Sequence, residues 1–197
     1  MKIEELKQKG NVTVTEVKNG CVKVSADKGF ILKGDDTYTS EIYCDKDAEL
    51  QGYEVVAYSD YLRAENKKKY EGKTLEEAKE MLLAEIDAYD TSSAVNGFAL
   101  NDKQRWLDVD LRRSLSYSTN ILKEDGEKTV DIWFDTECET MDIDNALHML
   151  KELEVYAKQT NNVTHRHKAE VMALTSIEDV EAYDVTKGYP EKLVFSF

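Results

Sequence analysis

The chain has one proline, nine glycines and three cysteines in 197 residues, and no apolar run approaches the ~20 residues of a membrane-spanning helix. Each shortage excludes a class. The glycines are scattered singly, so there is no low-complexity tract and no glycine-rich loop to cradle nucleotide phosphates. Cys21, Cys44 and Cys138 are odd in number and form no C-x-x-C pair, so they read as free thiols in a reducing compartment. The opening MKIEELKQKG carries no apolar core of the secretory kind, and the expected location is cytoplasmic. Basic residues are scarce too: 26 Lys and Arg stand against 40 Asp and Glu, a net charge of −14. Such a field repels phosphates and anionic lipid, so neither nucleic acid nor membrane is expected as a partner; a protein or a cation is.

What is present is a globular composition, 41% apolar and 34% charged. The expected fold is α+β, with a small antiparallel β module over 1–55, a helical connector over 56–90 and an α+β domain over 91–197 carrying a β-hairpin and helices. In NVTVTEVKNGCVKVSA, valines alternate on both sides of Asn19-Gly20, which suits a type I′ hairpin turn. FILK and YTSEIYC read as two more strands around Gly34-Asp35-Asp36, completing one sheet of three or four strands. DYLRAENKKKY then reads as a helix stopped near Gly72. Thr74-x-x-Glu77 is a capping box opening a second, with Leu75, Ala78, Leu82, Ile86 and Tyr89 at helical spacing. Those two helices are expected to pack on their own chain, with self-association into a homo-oligomer as the alternative.

The stretch QRWLDVDLRRSLSYSTN, residues 104–120, passes from strand spacing at Trp106 and Leu107 to helical spacing at Leu111, Leu115, Ser118 and Ile121 or Leu122, with Asp108 placed as the cap. A hairpin around Asn101-Asp102 precedes it. TVDIWF follows as a strand with Val130, Ile132 and Phe134 on one face and Trp133 on the other. Asp142 or Asp144 opens a long core helix striped by Ala146, Leu150, Leu153 and Ala157. Thr164 is expected to cap the next helix and Thr175-x-x-Glu178 a short last one, and LVFSF closes as a strand.

Candidate chemistry is thin. Asp108-Val109-Asp110 resembles a phosphatase nucleophile loop, but Leu111, Arg112 and Arg113 stand where a hydroxyl residue is needed, so helix capping is the plainer role. His165 and His167 are two apart, whereas helical metal ligands sit three or four apart. A small metal-dependent hydrolase built on Asp108, Asp110 and these histidines is the alternative functional reading; otherwise no catalytic residue, metal or cofactor is expected. Eleven tyrosines and two tryptophans remain as material for a binding face.

Taken in order, Arg105-Trp106-Leu107-Asp108, Leu153-Glu154 with Tyr156-Ala157, Asn162-Val163-Thr164 with His167, and Gly188-Tyr189-Pro190-Glu191 make residues 90–193 resemble a domain-of-unknown-function family of phage and prophage tail gene clusters. The resemblance implies a non-enzymatic tail accessory protein, either a minor structural part carried in the phage particle or a tail-fibre assembly factor. Its expected partner is a phage tail or fibre protein. The interaction candidates are Trp106, Arg112, Tyr183 and Tyr189, because aromatic and arginine side chains dominate interface energetics at ~2 kcal/mol or more each.

Overall fold

A computed structural model describes residues 2–18, 20–35, 37–50 and 52–197. The chain begins with helix α1 (Ile3–Gln8) and strands β1 (Val12–Lys18), β2 (Cys21–Ala26), β3 (Phe30–Lys33), β4 (Tyr38–Thr39), β5 (Glu41–Asp45) and β6 (Glu54–Ala57), then helices α2 (Tyr58–Lys69) and α3 (Leu75–Thr91). Hairpin strands β7 (Phe98–Leu100) and β8 (Lys103–Arg105) lead into α4 (Val109–Glu124). Strands β9 (Thr129–Phe134) and β10 (Glu137–Asp142), helices α5 (Ile143–Ala173) and α6 (Ile177–Glu181), and strand β11 (Val194–Phe195) complete it. The fold is α+β, and none of its described helices is long and apolar enough to cross a membrane.

Two compact units divide this order: Met1–Ala78 with Thr175–Asp184, and Lys79–Leu174 with Val185–Phe197. The expected boundaries at 55 and 90 therefore move. Helix α2 joins the first unit, most of α3 the second, and α6, expected in the C-terminal domain, the first. The reason for α6 is a buried asparagine: Asn66 of α2 donates its side-chain amide to the carbonyl of Glu181 at 2.9 Å and to that of Tyr183 at 3.4 Å. A buried amide needs such partners, and residues 181 to 183 supply them.

In the first unit the expected single sheet is two. Strands β1-β2-β5 form one antiparallel sheet and β4-β3-β6 the other. YTSEIYC splits at Ser40, so that its first part pairs with β3 and its second with β2. Asn19 and Asp36, on which two expected turns rest, lie outside the described residues. Val22, Val24 and Leu32 bury with Leu50 and with Ile3 and Leu6 of α1, a helix whose single i, i+3 apolar pair is too short a pattern to announce it. Thr74 and Glu77 form the expected reciprocal cap, Thr74 N to Glu77 Oε2 at 2.9 Å and Glu77 N to Thr74 Oγ1 at 3.3 Å.

In the second unit, Asn101 and Asp102 both take positive φ, 50° and 65°, which is how a two-residue turn joins β7 to β8 without glycine. β11 adds parallel to β7 and sends Phe195 edge-on to Phe98 at 5.9 Å; Phe98 also meets Phe134 at 6.2 Å. These rings join Leu100, Leu107, Val130, Ile132, Met149, Leu150 and Leu153 in one core, each full burial contributing about 2 kcal/mol. Helix α5 runs unbroken for 31 residues, so Thr164 caps nothing; it sits mid-helix, and Ser176, not Thr175, caps α6 by accepting from Asp179 N. Along α3 and α5, Lys79 reaches the Met172 carbonyl at 3.3 Å, Asp87 pairs with Lys168 and Asp90 accepts from Thr164, a register that makes the helices antiparallel.

Candidate functional site

Helix α4 starts as expected: Asp108 Oδ1 accepts from the amides of Asp110 and Leu111 at 2.9 and 2.8 Å. Its inward face differs. Of the expected stripe, Leu115 and Leu122 pack on the core, but Leu111 and Ile121 are each 40% exposed and Ser118 is exposed, while Arg112 and Thr119 are buried instead. Arg112, 4% exposed, drives the rotation. Its Nη1 donates to the Leu107 carbonyl at 2.5 Å, its Nε to Glu154 at 2.9 Å, and its Cζ lies 5.3 Å from the Trp106 ring centre. As a free interface residue Arg112 is therefore corrected: a guanidinium already met by a carboxylate, a carbonyl and an indole has little left to offer a partner.

Tyr189 is held in a similar way. Thr164 Oγ1 donates to Asp90 at 2.6 Å, and the Tyr189 phenol meets that same oxygen at 2.8 Å. With the threonine hydrogen committed to Asp90, the phenol is the donor. Its ring stacks on His167 and meets Tyr89 edge-on, while His167 Nε2 lies 2.8 Å from the Lys187 carbonyl. Burial pushes the phenol pKa up. This latch fastens residues 187–189 to α3 and α5. Tyr183 belongs to the first unit, where α2 grips its carbonyl. Within the second unit Trp106 and Arg112 meet, and Tyr189 is held separately in the latch.

An open cleft of about 330 Å³ lies beside Trp106. Its wall runs from Gln104 to Asp108, through Leu111, to Trp133, Phe134 and Asp135. Leu107, fully buried, anchors the linker from β8 to α4 and leaves Trp106 partly buried against the core. Across the cleft, the alternation of β9 buries Val130, Ile132 and Phe134 and turns Trp133 outward, 60% exposed. Asp135 follows at φ 54° in the turn to β10. On the rim, Arg105 stacks over Phe134 with Cζ 5.0 Å from the ring and pairs with Glu137 and, at 3.4 Å, with Glu139. Arg105, joined by Lys103, holds the Glu137 carboxyl down to about 2.

Trp133 and Leu111 were not among the expected site residues. One signal for Trp133 was available, a tryptophan on the polar face of an alternating strand; for Leu111 there was none, because its spacing fits the core. Of the hydrolase set, Asp108 spends one oxygen on capping, Asp110 and His165 are exposed, and His167 is buried in the latch. Among the described residues no three His, Cys, Asp or Glu side chains gather as a metal site.

Fold and site together define an α+β chain of two compact units, one of which carries an open aromatic cleft. Compared with known proteins, the chain matches no family model, no curated protein and no solved structure.

Proposed function

We propose that the chain is a non-enzymatic accessory protein of a phage or prophage tail, acting in the cytoplasm by protein-protein contact and taking the cleft of its second unit to a tail or fibre protein. The observation that supports contact is the grouping of Trp133, Trp106 and Leu111 around one open cleft. Large apolar side chains left in water beside a concave surface are what an interface core is made of. The tail assignment is supported by the motif order described above.

The test uses the double substitution Trp133→Ser and Leu111→Ser in a cell expressing the tail cluster. Both side chains are exposed, so chain stability should move by no more than about 0.5 kcal/mol for each. The parent chain is expected to copurify with intact particles or with free fibre protein, and the variant with neither. Unchanged copurification of the variant removes the cleft from the contact, and a parent chain found with neither removes the tail role.

A further inference from the structure

Three aromatic rings line the cleft, and two of them already carry a cation. Arg112 sits against Trp106 and Arg105 over Phe134. Among the described residues Trp133 carries none, although it is the most exposed of the three. The Arg112 site shows how this chain seats a guanidinium: against an indole on one side and a carboxylate, Glu154 at 2.9 Å, on another. Around Trp133 the indole and the carboxylates are present and the guanidinium is not. Among the described residues the Asp135 carboxylate forms no hydrogen bond or ion pair, and Asp108 engages only Oδ1, leaving Oδ2 for a ligand. Arg105, the one cation in the lining, and Lys103 beside it are matched by Glu137 and Glu139, so Asp108 and Asp135 leave the local field negative within a chain of net charge −14.

On the reading that the cleft is a contact site, we propose that it takes an arginine side chain presented by the protein partner, stacked on Trp133 and paired with Asp135 and Asp108. A wholly apolar occupant would cover these carboxylates without compensating them, which is costly. Arginine suits the seat better than lysine because its planar guanidinium stacks on an indole and forks toward carboxylates at the same time.

The full chain has two tryptophans, so two indole N–H resonances report directly on the cleft. The probes are a short Leu-Arg-Leu peptide blocked at both ends and the same peptide with citrulline, the neutral isostere, in place of arginine. The arginine peptide is expected to move the Trp133 resonance and to bind about tenfold or more tightly than the citrulline peptide, a preference that falls as salt is added. Asp135→Asn should remove most of that preference while keeping the turn, since asparagine also tolerates positive φ. Equal binding of the two peptides overturns the arginine seat and makes the cleft an apolar groove, leaving the contact reading standing. A Trp133 shift that tracks chain concentration and resists both peptides overturns it in favour of a second copy. If neither peptide moves either resonance there is no arginine seat, and the copurification of the Trp133/Leu111 variant then decides separately whether the cleft makes contact at all.

Discussion

Aromatic side chains in the second unit meet two fates, and the latch at Tyr189 and the cleft at Trp133 display them. In the latch every polar atom brought by the aromatic is answered: the Tyr189 phenol by Thr164, and Thr164 in turn by Asp90. In the cleft Trp133 presents its ring to water, flanked by a carboxylate with no partner among the described residues. An aromatic group near an element end is thus a poor guide to binding by itself; what separates fastening from recognition is whether its neighbours are already satisfied.

The sharpest way to break that comparison is at Arg112, which stands behind the cleft yet is satisfied like the latch. Arg112→Met should cost about 3 kcal/mol, because the Leu107 carbonyl and the half-exposed Glu154 lose their partner. Urea unfolding followed by tryptophan fluorescence measures it in the right place, since both tryptophans belong to the second unit. A loss below about 1 kcal/mol would mean that the buried guanidinium does not organise this wall.

A middle effect is expected in the latch. Thr164→Val, which removes the shared hydroxyl from Asp90 and Tyr189 together, should cost about 2 kcal/mol and Tyr189→Phe about 1 kcal/mol, with the double variant close to Thr164→Val alone. Additive losses would show that the two hydroxyls act independently.

The smallest effect lies on the cleft rim. Glu137 is held at about 2 by Arg105 and then Lys103, below its ordinary 4.5. A depressed carboxylate adds stability above its unfolded value and loses it as pH falls toward the folded one, so this contribution fades between about 4.5 and about 2. A carbon-detected carboxyl titration should place the Glu137 midpoint near the lower end, and Glu137→Gln should flatten the stability profile across that window. A midpoint near 4.5 would mean that Arg105 is not committed to the rim and is free to oppose a cationic ligand.

Much of the local structure was legible. Thr74 and Glu77, Asp108, the alternation of TVDIWF and the closing LVFSF all behave as their patterns indicate, because a cap or a strand face depends on neighbours a few residues away. The misreadings share a different cause. Leucine at helical spacing normally faces a core, but Leu111 yields that side to Arg112, which has three partners inside. Thr164 looked like a cap because capping hydroxyls and buried mid-helix hydroxyls are the same residue in one dimension. Strand β10, ECETMD, pairs with β9 through a polar sequence that carries little hydrophobic signal of its own.

By itself the sequence determined the caps at Thr74 and Asp108, the alternation of β9, the α+β class and the acidity of the chain, since these follow from interactions close along the backbone or from composition. Only the tertiary structure decided that residues 175–184 belong with the first unit, that α4 turns Arg112 inward, and that Trp106, Leu111, Trp133 and Asp135 share one cleft. Those outcomes depend on partners tens of residues away, Asn66 for Glu181 and Glu154 for Arg112, whose meeting is settled by packing and by the need to satisfy buried polar groups.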